Sequence, residues 1–473
     1  MNTVRIETLG CKLNQIESES AGRYFLDCGF DVKIQNITSK TPADDSTVIC
    51  ILNTCTVTQK AEQKARRIIR LLLKKYQNAV IIVTGCYAQL SKDEILAIDK
   101  RICVVEGQIK SRLSLVPQLL KNNSSFNPVD FAKELNQKIH EPVLQQPGIA
   151  EDTFKFSTSS FIAHSRASLK IQDGCNNSCS FCAIHFARGK SVSLDVDEVL
   201  KRVLEIEKNG NDEVVLTTIN IAQYRGKIIN KGKEDYYNFS ELLLYLLEKT
   251  SKIHFRISSL YPEIVDEKFL EAIKNERVCP HFHLSVQSGS DRILLLMNRK
   301  YSANDVISAC KKIRTVRNNC FLACDIITGF PGETDDDFNK TLELCTECDF
   351  NWIHAFPFSE RKGTKAFELK PKIPQSVRQE RAKILTDFAI KNKIKYINGF
   401  KNQIMNAVLE TVKPSLIHNG FIKYHAVTEN FIHCEIVSDK SYPACKTVKI
   451  KIKCALEQTI KKGGDMEALA EFC

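Results

Sequence analysis

Three cysteines, Cys175, Cys179 and Cys182, lie in the segment DGCNNSCSFC with the spacing C-x3-C-x2-C. Thiolates are soft ligands that suit iron–sulfur clusters or zinc. Three of them on one short loop can cap three irons of a [4Fe-4S] cube. The fourth iron then stays open to the amino and carboxylate groups of S-adenosylmethionine, which a fully ligated cluster cannot bind. Zinc would need a fourth ligand. Only His185 stands close, and C-x3-C-x2-C-x2-H is not a common finger spacing. Three packing cysteines would not explain a loop this polar.

Three further cysteines have a different character. Cys11 lies in TLGCKLNQIESE, Cys55 in NTCTVT and Cys86 in VTGCYAQ. Each follows an apolar strand-like run and precedes a helical one. In a doubly wound sheet, ligands gather outside the strand carboxyl ends, so distant cysteines of this kind can meet at one edge. Gly10 and Gly85 precede two of them, as a tight turn would require. Spacing alone leaves two readings open, cluster ligands or half-buried turn cysteines.

The elements that must position these residues follow from periodicity. Residues 1–125 alternate strands (TVRIETL, STVICILNT, NAVIIVTG, RICVVEG) with helices, which argues a doubly wound parallel sheet covered on both faces. The polar, proline-containing stretch 126–160 reads as a linker. Residues 161–397 hold six strand candidates (RASLKIQ, DEVVLTTIN, HFRISSL, HFHLSVQ, FLACDIITG, NWIHAFPF) separated by helical stretches. They suggest a full or partial (β/α) barrel with its functional residues at the strand carboxyl ends. His281 and His283 share one face of their strand, and with no other ligand nearby they read as structural, as does His354. Residues 398–460 carry short β-like runs without helices, as in a small antiparallel β-barrel, and 461–473 read as a tail. The expected fold class is therefore α/β, with a small β-barrel at its carboxyl end.

The formal charge of +11 favours an anionic partner, nucleic acid above all. From residue 391 onward there are 13 lysines, no arginine and 8 acidic residues. The basic helix KAEQKARRIIRLLLKK could face RNA, although a solvated face explains it as well. No run approaches the roughly 18 to 20 apolar residues of a membrane span. MNTVRIETLG lacks a basic and then apolar leader, so a cytoplasmic chain with reduced thiols is expected.

The segments LKIQDGCNNSCSFCAI, ARGKSVS, RISSLYPE, PHFHLSVQSGSDRILLLMNRKYS, DIITGFPGETDDDF and HAFPFSERKGTKA closely resemble the radical S-adenosylmethionine core of the methylthiotransferases, in that family's order. The resemblance implies two [4Fe-4S] clusters. One, on Cys175, Cys179 and Cys182, passes an electron to S-adenosylmethionine. The auxiliary one, on Cys11, Cys55 and Cys86, holds the sulfur that is methylated and transferred. The resemblance places GFPGET, with Gly329, Pro331, Gly332 and Glu333, near S-adenosylmethionine. Arg256, Ser258, Gln287 and Ser288 are expected at the barrel mouth as further cofactor contacts. The last domain resembles the RNA-binding TRAM barrel, most closely in NGFIKYHAV. Expected partners are the tRNA anticodon stem-loop, a flavodoxin- or ferredoxin-type electron donor and a sulfur source.

TLGCKLNQIESE looks like the branch that modifies threonylcarbamoyl-adenosine-37 of tRNA. The branches acting on isopentenyl-adenosine and on a ribosomal-protein aspartate are alternatives, and a non-catalytic zinc-containing RNA-binding protein is the rival from another class. Two positions depart from the family pattern. His185 stands where proline is usual, and Thr218 stands where glycine is usual.

Overall fold

The architecture comes from a computed structural model. It describes residues 2–123, 126–141, 153–154, 156, 158, 161–162, 166–230, 232–410, 417–418 and 420–473. The chain divides into two compact units. The first comprises residues 1–163, 170–194 and 359–364, and the second comprises 164–169, 195–358 and 365–473.

In the first unit five parallel strands, β1 (Thr3–Thr8), β2 (Asp31–Ile34), β3 (Thr47–Thr54), β4 (Val80–Gly85) and β5 (Ile102–Glu106), run in the order β2-β1-β3-β4-β5. The strands β3, β4 and β5 are buried on both faces, which explains their near-continuous runs of Val, Ile, Leu and Cys, while the edge strand β2 is half-buried. Val4, Ile6, Ile49, Ile51, Val80 and Ile82 pack with Phe25 of α1 (Lys12–Asp27) on one face. Leu52, Ile81, Val83 and Val104 pack on the other face with Ile68, Ile69 and Leu72 of α2 (Gln59–Lys75) and with Tyr87 of α3 (Cys86–Leu90).

The stretch expected as a linker is partly folded into this unit. Pro128–His140 form α4, with Asn127 capping the amides of Val129 and Asp130 and Pro128 in the first turn. Phe131, Ala132, Leu135 and Ile139 recur at helical spacing and join the face that holds α1. Residues 142–152, 155, 157, 159 and 160, where most of the rest of that expectation falls, lie outside the described residues.

In the second unit six strands form two triplets. β6 (Ala167–Lys170), β7 (Glu213–Thr217) and β8 (His254–Ile257) are one; β9 (His281–Gln287), β10 (Phe321–Thr328) and β11 (Trp352–Pro357) are the other. Parallel bridges Phe255–Val278 and Leu260–Leu284 carry the strand course from the first triplet to the second. The result is the partial (β/α) barrel. Alternation fixes the faces. Phe282 stacks edge-on to Phe269 of the helix Glu267–Lys274, so Phe282, Leu284 and Val286 face the helices. His281, His283 and Ser285 face the concave side, and the register shifts between Leu284 and Gln287.

The carboxyl end of the chain is a closed barrel of five strands, β12 (Ile404–Leu409), β13 (Phe421–Thr428), β14 (His433–Ser438), β15 (Thr447–Ala455) and β16 (Ala468–Phe472). The circuit is β12-β15-β16-β14-β13 and back to β12. The segment expected as a tail is thus the strand that completes the ring. β16 pairs antiparallel with β15 and parallel with β14, and buries Ala468 and Ala470. Two alanines in a five-residue run give almost no strand signal, and only closure of the ring accounts for them. No helix among the described residues is long and apolar enough to cross a membrane.

Candidate metal centre

Both cysteine triads lie in the first unit. Cys11, Cys55 and Cys86 stand directly beyond the carboxyl ends of β1, β3 and β4, three adjacent parallel strands. In the order 2-1-3-4-5 the strand direction of winding reverses between β1 and β3, so Cys11 and Cys55 flank the topological switch point where such sheets take ligands. Cys11 is the N-cap residue of α1, and Cys86 opens α3.

Two glycines let these ends close in. Gly85 has φ +96°, and a Cβ there would lie 2.3 Å from the Thr54 carbonyl oxygen. Gly10 has φ +106°, and its Cβ would lie 2.6 Å from Cys55 Cβ. Burial pushes the Cys55 thiol up to about 11, with Cys86 and Cys11 adding to the rise. Burial also raises Cys86. Cys55 and Cys86 are thus buried, and Cys11 is exposed to solvent. Thiolates in such a place call for a cationic group to hold.

Cys175, Cys179 and Cys182 sit on the loop after β6. Gly174 has φ +72°, and a Cβ there would meet the Lys190 carbonyl oxygen at 2.0 Å. The Cys175 amide donates to the Gly189 carbonyl at 3.1 Å and the Cys182 amide to the Cys179 carbonyl at 3.1 Å. Two amides aim at the sulfurs themselves. Asn177 N–H donates to Cys175 Sγ and Ile184 N–H to Cys182 Sγ, each at 3.4 Å. Amide donors of this kind favour a ligating thiolate over a thiol. After Cys182 the short helix α5 (Ile184–Arg188) packs against α3, which starts at Cys86.

A buried ionic network lies in the same unit. Glu17 pairs with Arg188 at 3.2 Å, Lys170 at 3.5 Å and Lys110. Asp173 pairs with Arg188 at 3.0 Å and Lys170 at 3.1 Å. Burial alone would raise both carboxyls. Lys110 and Arg188 overcome this for Glu17, which falls to about 2, and Arg188 and Lys170 do so for Asp173, held well below the usual carboxylate range. Asn14 ties the network to the strand ends, donating to the carbonyls of Leu9 and Thr54 and accepting from Arg188 at 2.8 Å. Periodicity alone did not single out Asn14, Glu17, Lys110, Asp173 or Arg188. The available signal was the polar density of NQIESE on a helix whose Asn14, Glu17, Ser18 and Glu19 are all buried.

Among the described residues no three His, Cys, Asp or Glu side chains converge closely enough to hold a single metal ion. A cube-shaped cluster spreads its thiolates more widely than one ion does.

The remaining expected contacts lie in the second unit and separate into two groups. Ser258 and Thr218, at the carboxyl ends of β8 and β7, place their hydroxyls 3.4 Å apart. Gln287 ends β9 at φ +73°, a strained conformation for a residue with a side chain, and Ser288 follows it, buried. Gly329 and Gly332 take φ +66° and +82° in the turn after β10.

Arg256 and Glu333 are engaged elsewhere. Arg256 grips Glu213, the first residue of β7, and donates to the Thr428 and Glu429 carbonyls at 3.1 Å. It faces the amino end of the barrel, two residues deeper than Ser258, which corrects the expectation that it lines the mouth. The Glu333 carboxylate accepts from the Gly329 amide at 2.7 Å and pairs with Arg381, so it shapes the turn rather than reaching out of it. His283 pairs with Asp325 at 3.0 Å and its ring lies 5.3 Å from His354. His281 packs on Phe431. His185 is half-buried against Phe186, its Nδ1 without a hydrogen-bond partner among the described residues.

Comparison with known proteins adds the family context. The profile described as "Radical SAM superfamily" matches residues 169–345, and that described as "Uncharacterized protein family UPF0004" matches residues 3–107. The chain is 40% identical to the threonylcarbamoyladenosine tRNA methylthiotransferase MtaB of Treponema pallidum, over 96% of this chain and 98% of that one. It is 33% identical to the protein of the same name from Thermotoga maritima, over 91% of each chain. The tRNA-2-methylthio-N(6)-dimethylallyladenosine synthase of Clostridium tetani is 31% identical, over 86% of this chain and 85% of that one. Among solved structures, the radical S-adenosylmethionine methyltransferase TsrM from Kitasatospora setae, with cobalamin and a [4Fe-4S] cluster bound, aligns with a TM-score of 0.51 at 12% identity, over 78% of this chain and 74% of that one. That likeness speaks for the fold alone.

Proposed function

The chain belongs to the radical S-adenosylmethionine methylthiotransferases, and from that premise we propose that it inserts a methylthio group at C2 of N6-threonylcarbamoyladenosine-37 of tRNA. One observation carries this reading. Two cysteine triads, each framed by glycine turns and backbone donors or buried charge, stand in one compact unit. A radical initiator needs only the second triad, and a sulfur-inserting enzyme needs both.

Cys175, Cys179 and Cys182 would hold the cluster that binds S-adenosylmethionine, and Cys11, Cys55 and Cys86 the auxiliary cluster. When bound, these groups supply the radical, the sulfur and the methyl group. The protein's own contribution is positional. Gly10, Gly85 and Gly174 set the loops. Asn177 and Ile184 orient two sulfurs. The Glu17–Asp173 network is buried in the same unit. Ser258, Gln287, Ser288, Gly329 and Gly332 are proposed to meet S-adenosylmethionine at the strand carboxyl ends, where Thr218 narrows the space that glycine would leave.

Several features support RNA as the substrate. Ile450 and Ile452 point into the closed barrel, so Lys449, Lys451 and Lys453 on β15 point outward. On α2, Lys60, Lys64, Arg67, Arg70 and Lys74 are exposed along one side. Cations of this kind contact phosphates and carry affinity rather than base choice. The partners proposed with this reading are the anticodon stem-loop, a flavodoxin- or ferredoxin-type reductant and a sulfur source.

The test is nucleoside mass spectrometry of tRNA from a strain lacking the gene. The 2-methylthio threonylcarbamoyl nucleoside should vanish and the unmethylthiolated one accumulate. Its persistence, with no paralogue present, sinks the assignment. Loss of the dimethylallyl nucleoside instead would move the enzyme to the branch of the Clostridium tetani relative. Anaerobic metal analysis separates the zinc-containing rival: iron in both triads supports the enzyme, and zinc supports the rival.

A further inference from the structure

Arg188 lies six residues after Cys182, at the end of α5, and its side chain is 5% exposed. Nη1 bonds Glu17 and both oxygens of Asp173, and Nη2 bonds Asn14. Its Nε is buried and has no hydrogen-bond partner among the described residues. Buried donors are nearly always satisfied, so this one calls for an acceptor that the described residues do not supply. The charge balance of the network points the same way. Among the described residues, the carboxylates that pair with Lys110, Lys170 and Arg188 are Glu17 and Asp173, two against three cations in a buried place. An isolated buried charge is strongly unfavourable without a partner.

The neighbours show where the missing anion belongs. Asn14 Oδ1, which accepts from Arg188 Nη2 at 2.8 Å, also accepts from Cys11 Sγ at 3.8 Å, and the helix that ends in Arg188 packs against the helix that Cys86 opens. A resting [4Fe-4S] cube on three thiolates carries one net negative charge and presents sulfur atoms as hydrogen-bond acceptors. It meets both requirements at once.

We propose that Arg188 is a positioning residue of the amino-terminal site, its Nε–H donating to a sulfur of the cluster held by Cys11, Cys55 and Cys86 and its charge raising that cluster's reduction potential. The proposal rests on the reading that these three cysteines hold a cluster. Hydrogen bonds to cluster sulfurs and nearby charge are known levers on potential. The arginine comes from the segment that carries the other triad and is bonded to Asp173, two residues before Cys175. It therefore ties the backbone on both sides of the C-x3-C-x2-C loop to the amino-terminal site.

The experiment uses the full chain with Cys175→Ala, Cys179→Ala and Cys182→Ala, so that the amino-terminal cluster is the sole chromophore. Arg188→Lys and Arg188→Met are built on that parent, and iron content, EPR-monitored redox titration and exchangeable-proton couplings by pulsed EPR are recorded. Arg188→Met is expected to keep its iron while its midpoint shifts to more negative potential. Arg188→Lys, which keeps the charge, is expected to hold the midpoint closer to the parent's and to lose the strongest exchangeable-proton coupling. An unchanged coupling in Arg188→Lys overturns the proposal, and so does an unchanged midpoint in Arg188→Met. If Arg188→Met fails to fold, the coupling in Arg188→Lys decides. A parent that binds no iron overturns the cluster reading itself, a result distinguishable from failure of the arginine's role.

Discussion

Arg256 holds both carboxylate oxygens of Glu213 at 2.7 Å each, with side-chain exposures of 3% and 4%. Burial alone would raise the Glu213 carboxyl, but Arg256 and then Arg166 override it and bring it down to about 2. The same guanidinium donates to the carbonyls of Thr428 and Glu429, which lead into the turn of the carboxyl-terminal barrel. The pair therefore fastens that barrel to the partial (β/α) barrel. Removing one partner strands a buried charge, so Arg256→Met should lower the unfolding free energy of the apo chain by about 3–5 kcal/mol. Arg256→Met with Glu213→Leu should recover part of the loss, because no charge is then left unpaired. Urea titrations of the three chains check this, and an Arg256→Met chain as stable as the parent would refute it. The sign of the pH effect follows. A depressed carboxyl stabilises the fold above the ordinary value of 4.5 and ceases to as pH falls toward about 2. The stability gap between parent and variant should thus shrink across that acid window.

Gly85 offers a test of the auxiliary site that leaves every cysteine in place. An alanine there has to adopt φ +96° with its Cβ 2.3 Å from the Thr54 carbonyl oxygen, so β3 and β4 have to part where Cys55 and Cys86 meet. Gly463 has φ +69° and open space around it, which makes Gly463→Ala a control for backbone strain alone. Gly85→Ala should lose roughly half the iron of the parent, the share of one of two clusters, and Gly463→Ala should keep it all. Iron retained by Gly85→Ala would show that the strand ends do not position the auxiliary ligands.

The gathering of three cysteines at one sheet edge was legible in the sequence because they sit at changes of period, where an apolar strand gives way to a helix. Cys11, Cys55 and Cys86 are each found at such a change, with Gly10 and Gly85 marking the turns. The network behind them was not legible. Periodicity assigns polar residues to solvent, yet α1 buries Asn14, Glu17 and Glu19 against other polar groups. Arg256 shows a different limit. The parity of a strand tells which face a side chain takes but not which end of the barrel it serves, and Arg256 shares its face with Ser258 while lying roughly 7 Å deeper at about 3.3 Å per residue. In α4 the spacing of Phe131, Leu135 and Ile139 was present but outweighed by the polar composition around it. For β16 no local signal existed, because its place depends on strands far away in the chain.

The lysines of β15 should appear in the salt dependence of tRNA binding. Each phosphate contact contributes about 0.9 to the slope of log K against log salt on duplex nucleic acid and about 0.7 on single strands. Replacing Lys449, Lys451 and Lys453 together with Gln should therefore reduce the slope by roughly 2 to 3. Affinity should fall alike for tRNAs of different anticodon sequence, since phosphate contacts do not read bases. A slope unchanged from the parent would move the RNA surface away from this strand.

Deleting Glu467–Cys473 distinguishes a barrel strand from a dispensable tail. The deletion removes β16, so β15 and β14 lose the strand that joins them and the ring opens between Ile452 and Cys434, both fully buried. It also removes Glu467, the carboxylate that pairs with the buried Lys393 of the helix Gln375–Asn398. An open edge of this kind templates association with other chains, and an unpaired buried lysine destabilises the helix that carries it. The shortened chain should elute as larger species on size exclusion, show fast proteolysis within residues 404–455, and lose tRNA affinity at least tenfold, about 1.4 kcal/mol. Iron content should stay near that of the parent, since both triads lie in the other unit. A monomeric truncated chain that binds tRNA as tightly as the full one would show that β16 contributes nothing to the barrel.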